Sequence, residues 1–178
     1  GKIRARAYLY LSKGLFVNSI DNEQARAYAN EAVKLATQLD DLPLLGDAYV
    51  QMGCLHYRFE DTETAVLTIE QGLKIYKSLG DYPRIVDGLN ALAIAYSESG
   101  NLVKTFALDK QLAELSQQIG SPLKIADQQF NLSYSYALFG QIEESTSLVL
   151  KAMQTFQDYN DRGAIQNSYA MLANNYFD

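Results

Sequence analysis

The chain has no tryptophan, one cysteine, one histidine and three prolines in 178 residues. With Cys54 as the lone cysteine and His56 as the lone imidazole, an internal disulfide and a Cys/His zinc site are both excluded. Long hydrophobic runs are missing as well, since no window approaches the roughly 18 consecutive apolar residues of a membrane-spanning helix. Positive charge is also scarce. Fifteen Lys and Arg stand against 21 Asp and Glu, giving a net charge of −6 and a pI near 4.8. That balance opposes the phosphate neutralisation behind nucleic-acid affinity, so neither nucleic acid nor an anionic membrane surface is expected as a partner. What remains, 48% apolar and 20% charged residues, is ordinary globular composition. A soluble, folded segment is expected, with cytoplasm and periplasm both open and the cytoplasm the first choice.

An offset of 40 residues aligns nearly the whole chain with itself. Leu45, Ile85, Ile125 and Ile165 form one column, Met52, Leu92, Leu132 and Leu172 a second, and His56, Tyr96, Tyr136 and Tyr176 a third. Within a unit these positions stand seven and four apart, joined by Tyr49, Leu89, Gln129 and Tyr169, which puts them on one face of a helix, here named helix A. After a turn carrying Glu60-Asp61, Gly100-Asn101 or Gly140-Gln141, a second helix, B, follows in each unit. Its column Ala25, Ala65, Thr105 and Ser145 is small throughout, as close backbone approach requires, and Leu39, Leu79, Ile119 and Tyr159 close it.

The boundaries repeat too. Asp41, Asp81, Ser121 and Asp161 are N-cap types placed to start each helix A, while Asp40, Gly80, Gly120 and Asn160 tolerate the left-handed conformation that ends each helix B. Pro43, Pro83 and Pro122 fall just past the caps, where a missing N–H costs nothing. The spacing predicts helices A at about 3–18, 44–59, 83–99, 122–139 and 162–177, helices B at about 22–39, 62–79, 102–119 and 142–158, and no strand. The first unit is irregular: the offset sets Ser12-Lys13 against Met52-Gly53, and a one-residue shift placing Gly14 against Gly53 is an equal alternative.

In the second unit Tyr49, Met52, Gly53, His56, Ala65, Ile69 and Gly72 fall where tetratricopeptide repeats place large, apolar, small, aromatic, alanine, apolar and small residues. The chain resembles that family in a lengthened form, over essentially its whole length. The match is weaker in the fourth unit, where Ser133 and Ser145 hold small positions. Asp109 departs from a column otherwise held by Ala29, Ile69 and Val149, so it pairs with a neighbour, marks a rotated helix or serves function. The resemblance implies an all-α, right-handed superhelical solenoid of antiparallel helix pairs, with nine helices in about four and a half repeats. One domain, 1–178, is expected, in units of about 1–40, 41–80, 81–120, 121–160 and a partial 161–178. Because the last unit reads as a complete helix A ending at Tyr176-Phe177-Asp178 with no helix B, the chain is expected to be a piece of a longer protein.

Little in the sequence points to catalysis. Cys54 and His56 are two apart and so face different directions on a helix, and His56 lies in the tyrosine column, which favours a core role. The glycines form neither a phosphate-cradling G-x-x-x-x-G-K nor a G-x-G-x-x-G after a strand. Acidic pairs such as Glu60-Asp61 and Glu143-Glu144 sit at turns and helix starts, where they favour the helix dipole. No catalytic residue, metal or cofactor is assigned. About two thirds of the aromatics, including Tyr49, Tyr76, Tyr96, Tyr136, Tyr159, Tyr169 and Phe156, fall in inter-helix columns and are expected in the core.

One constellation stands out: Asp47, Asp87, Asp127 and Asn167 recur near the start of helix A, off its buried stripe. In tetratricopeptide folds helix A lines the concave surface, so the resemblance implies an acidic and amide ladder along a groove. Cys54, Tyr57, Asn90, Ile94, Phe130, Tyr134, Asn174 and Phe177 would share that face. Asp47, Asp87, Asp127, Asn167, Tyr57, Asn90, Phe130 and Tyr134 are the candidate partner-binding residues, since aromatic anchors beside polar groups suit capture of a peptide. The competing reading is that the aspartates serve their own helix starts, where a carboxylate stabilises by about 0.3–1 kcal/mol.

The leading expectation is a non-catalytic module binding a protein or peptide. Lengthened units joined by Ser78-Leu79-Gly80-Asp81 also resemble the sensory or regulatory arrays of bacterial signalling proteins, including transcription regulators and diguanylate cyclases. None of those output motifs lies in the chain. A free-standing scaffold, a homodimerisation module and an enzyme working through carboxylates alone are the alternatives.

Overall fold

Most helices start where the sequence offers an acceptor for unpaired N–H groups, and most stop beside a residue that accepts a left-handed turn. Asp21, Asp61 and Asp81 stand at N-caps and accept from the backbone N–H of Gln24, Thr64 and Arg84. Asp41 and Asp161 do the same for Leu44 at 3.3 Å and Ala164 at 3.0 Å. Ser121 holds the equivalent place, but its side chain makes no capping bond. At the other ends Asp40, Gly80, Gly120 and Asn160 all have positive φ, from 51° to 72°, and Gly100 and Gly140 do likewise after helices A.

The computed structural model describes residues 1–18, 21–59 and 61–177; Glu60 of the expected turn and Asp178 lie outside the described residues. Among the described residues there are nine helices and no strand. These are α1 (Lys2–Asn18), α2 (Asn22–Gln38), α3 (Leu42–Phe59), α4 (Thr62–Leu79), α5 (Tyr82–Glu98), α6 (Leu102–Ile119), α7 (Pro122–Leu138), α8 (Ile142–Asp158) and α9 (Arg162–Phe177). The odd-numbered helices are helices A and the even-numbered ones helices B. Every boundary falls within about two residues of its expected place.

The chain divides into two compact units, Gly1–Asn101 and the part from Leu102 onward. In the first, each helix packs on its neighbour in sequence; α1 also touches α3 and α3 touches α5, while α2 and α4 do not meet. Helices A therefore lie closer together than helices B, which makes their face the inner one. The second unit has the same bias, with α7 touching α9 and no contact between α6 and α8.

Small residues set the helix spacing. Ala25, Ala65, Thr105 and Ser145 are all buried, as their column requires. Ala5, Leu9, Ala32, Ala36, Leu44 and Ala48 form one core cluster of the first unit, and Ala25, Ala29 and Leu55 another. In the second unit Ala126, Ala152 and Phe156 pack together, as do Val149, Met171 and Leu172.

The first helix follows neither alignment expected for it. The buried small residue that stands with Gly53, Ala93 and Ser133 is Ser12, whereas Lys13 is exposed and Gly14 has open space around it. Ala5 likewise matches the buried Gly46, Val86 and Ala126. An offset of 41 therefore relates α1 to α3, a slip in the opposite sense to the Gly14 alternative. The aromatic core is also smaller than expected. Tyr76 and Phe156 are buried and Tyr49, Tyr96 and Tyr136 half-buried, but Tyr159 and Tyr169 are exposed. Tyr159 sits at a C-cap, where the chain turns away, and Tyr169 lies on α9, which among the described residues packs against α7 and α8 alone. Leu39 and Leu79 are exposed at helix ends for the same reason as Tyr159.

Candidate functional site

In the first unit the ladder position on α3 is not a free carboxylate. One oxygen of Asp47 accepts from the Tyr76 hydroxyl on α4 at 2.9 Å and from Arg84 Nε on α5 at 2.9 Å. Arg84 also donates through its guanidinium to Asp81, which caps its own helix. Asp47 thus ties α3, α4 and α5 together. Its neighbours respond accordingly: the two carboxylates hold the Arg84 guanidinium firmly charged, and burial, followed by the negative charge of Asp47, pushes the Tyr76 phenol far up.

The other candidates of this unit are differently placed. Asp87 is exposed on α5 and Asn90 is half-buried. Tyr57 is half-buried on α3, edge-on to Phe16 with ring centroids 6.3 Å apart, and burial raises its phenol pKa. Burial pushes the nearby Cys54 thiol up to about 11, so it is not a poised nucleophile.

In the second unit Asp127 and Asn167 are exposed, and Tyr134 is 53% exposed. Partial burial, then the charge of Asp161, raises the Asp127 carboxyl pKa. Phe130 instead packs inward, against both core clusters of the unit and edge-on to Phe156 at 6.5 Å. It supports the helix pair more than it offers an anchor. Asp109 is buried on α6 and accepts a short hydrogen bond from the Ser135 hydroxyl on α7, so it pairs with a neighbour and no rotation of its helix is needed to explain it.

A pocket of about 300 Å³ opens on the inner face of the first unit, among α1, α3 and α5. Leu9, Pro43 and Leu44 give it apolar walls, and Tyr10, Arg6 and Lys13 line it from α1. Asp41, Asp47 and Arg84 complete it. Asp41 is held by Lys2 at 2.7 Å, which draws its carboxyl below the usual range. Of these lining residues the sequence reading singled out Asp47 alone as a binding group. The signal it missed is the one-residue slip: at an offset of 41, Arg6 takes the ladder place of Asp47, Leu9 that of Val50 and Asn90, and Lys13 that of Cys54 and Ile94.

Among the described residues, no three His, Cys, Asp or Glu side chains gather as a metal site, and no helix is long and apolar enough to cross a membrane. The pocket can hold a ligand by charge and apolar contact.

No family model matches the sequence, and no curated protein does. Solved structures do. A signal-transduction ATPase with numerous domains and a tetratricopeptide repeat sensor, from Pyrococcus horikoshii, superposes with a TM-score of 0.81 at 16% identity, over 95% of this chain and 26% of that one. A Rap protein complexed with competence and sporulation factor gives 0.78 at 17% identity, over 96% of this chain and 48% of that one. The tetratricopeptide-like repeats of a kinesin light chain from Podosopora anserina give 0.62 at 16% identity, over 98% of both chains. This chain thus spans a quarter to a half of the length of the first two. With helix pairs, caps and small-residue columns all in place, the chain has the fold of the tetratricopeptide-like helical repeats.

Proposed function

We propose that this chain is a protein-interaction module that takes a segment of a partner on the face formed by its helices A, and that it serves as the regulatory or sensory input of a larger bacterial signalling protein. The pocket among α1, α3 and α5 carries the reading: it is a concave site in which the charged side chains of Arg6, Lys13, Asp41, Asp47 and Arg84 converge beside Tyr10 and a smaller apolar surface, so it offers several polar groups to one ligand. Its volume, at the low end for such sites, suits one or two side chains of a peptide better than a whole cofactor. The similarity to a repeat sensor of a signalling ATPase and to a Rap protein solved with competence and sporulation factor supports the input role.

Selection of displayed random peptides on the whole chain tests the binding half. Enriched peptides are expected to lose about tenfold or more in affinity for Tyr10→Ala and for Ile94→Ala, both on exposed inner positions. Undiminished binding to both variants would move the site off this face. The input half is tested in the full reading frame, where removal of residues 1–178 should change the activity of whatever domain accompanies them; unchanged activity would end that half.

A further inference from the structure

The ladder of Asp47, Asp87 and Asp127 gives the inner face an acidic look in the sequence, but the two acids that line the pocket are already committed. Asp47 is held by Arg84 and Tyr76, and Asp41 by Lys2 and by the backbone N–H of Leu44. The cations of α1 divide differently. This helix carries Lys2, Arg4, Arg6 and Lys13 and no acidic residue, within a chain of net charge −6. Lys2 is spent on Asp41, and Arg4 donates to the Tyr8 hydroxyl. Arg6 and Lys13 make no ion pair or hydrogen bond among the described residues, and both line the pocket. Its uncommitted charge is positive.

Spacing adds a second constraint. Arg6, Tyr10 and Lys13 stand four and three residues apart, on one stripe of α1, and the two cations are about 10 Å apart along the helix axis. An extended chain advances about 3.3 Å per residue and puts alternate side chains on one side, so carboxylates at i and i+2 span about 7 Å, within reach of two long flexible cations. Leu9, Pro43 and Leu44 supply an apolar wall beside them.

We propose that this pocket binds side-chain carboxylates of an extended acidic peptide segment, with Arg6 and Lys13 as the recognising cations and Tyr10 between them. The proposal rests on the peptide-binding reading above and deepens it. Asp47 and Asp41 then act as positioning residues: they hold Arg84 and Lys2 and keep the walls in place, while Lys13 has no acidic partner among the described residues and Arg6 exerts only a weaker charge attraction on Asp41, behind that of Lys2.

The test uses the whole chain and a peptide of sequence Gly-Glu-Leu-Glu-Gly, with a carboxylate-free fluorophore on its N-terminal amine and an amidated C-terminus so that its only carboxylates are on side chains. Its counterpart has lysine in place of both glutamates. The acidic peptide is expected to bind at least tenfold tighter than the basic one, and several-fold more weakly when salt is raised from about 0.05 to 0.5 M. Arg6→Gln and Lys13→Gln should each weaken it, and together by tenfold or more, with unchanged melting temperatures. Lys74→Gln, an equal charge change on α4, should leave it unaltered. Tighter binding of the basic peptide, or undiminished binding by the double variant, overturns the charge assignment while peptide binding itself stands. Binding only when the peptide carries a free C-terminus overturns the assignment to side-chain carboxylates. Binding of neither peptide overturns the proposal, whereas the broader reading is decided separately by the display selection.

Discussion

Asp109 shows how one polar side chain is accommodated inside a helix pair. It stands in a column held elsewhere by alanine, isoleucine and valine, and it is buried with the Ser135 hydroxyl donating to it. Burial raises its carboxyl pKa, which the Ser135 hydrogen bond only partly offsets. A carboxyl whose pKa is raised on folding binds its proton more tightly in the folded state than in the unfolded one. Its ionised form therefore works against stability at neutral pH, and stability returns as the pH falls through the raised pKa toward the ordinary value of 3.8. Asp109→Asn keeps an acceptor for Ser135 and removes the buried charge, so it should melt a few degrees above the parent at pH 7, with the gap closing in acid. Ser135→Ala, which strands the carboxylate, should cost about 1–3 kcal/mol at neutral pH. Thermal melts across pH check both, and an Asn variant less stable than the parent at pH 7 would mean that the charge itself is stabilising.

At the scale of the helix, closeness decides more than hydrophobicity. A Cβ added at Gly72 on α4 would lie 2.9 Å from the Gly46 carbonyl oxygen and 2.8 Å from Val50 Cγ2, both on α3. The first of these contacts is backbone, so no rotamer change relieves it. Gly72→Ala should therefore destabilise by about 1–3 kcal/mol, although alanine in a helix interior ordinarily gains up to about 1 kcal/mol over glycine. A chemical denaturation midpoint above that of the parent would show that the two helices can separate at little cost. Such small residues, the aspartate caps and the left-handed stops all act within a few residues of themselves or along a fixed column, and this is why the helix boundaries could be read so closely from the sequence. The site was less legible. Asp47 reads as a free acid on its own helix, and only folding brings it to Tyr76 and Arg84, 29 and 37 residues away. The cations of α1 were hidden by a single-residue slip: a 40-residue offset puts Ala7 opposite Asp47, whereas the fold puts Arg6 there. Phe130 looked like an inner-face anchor by column, yet its ring packs edge-on to Phe156 of α8 and against both core clusters, contacts that a column on one helix does not reveal.

The whole molecule is uneven in how its core is built. In the first unit only Ser12 and Gln51 are buried polar residues among those described, and Gln51 donates to the Ser12 hydroxyl. The second unit buries Thr105, Asp109, Ser116, Gln128, Ser133, Ser135, Ser145, Ser168 and Asn175. Most of these are satisfied: Ser116, Ser133 and Ser168 donate to carbonyls of their own helices, and Asn175 donates to Ser145 and Thr146. A satisfied hydroxyl avoids a penalty but removes little apolar surface from water; the buried side-chain oxygen of Gln128 has no hydrogen-bond partner among the described residues, as is also true of the Asn22 side-chain oxygen in the first unit. In a repeat fold stability accumulates from each helix pair and its neighbours, so a polar stretch opens locally before the rest. Native-state hydrogen exchange should accordingly find the slowest amides in α3 and α4, which pack through Gly46, Gly53, Gly72 and Ile69, and about tenfold or more faster exchange in α7 and α8. Replacing Gln128 with Leu should narrow that difference by slowing α7, because it removes an unpaired oxygen while keeping the volume close. Equal protection in the two regions would mean that opening is governed by the molecule as a whole and that the polar column carries no local cost.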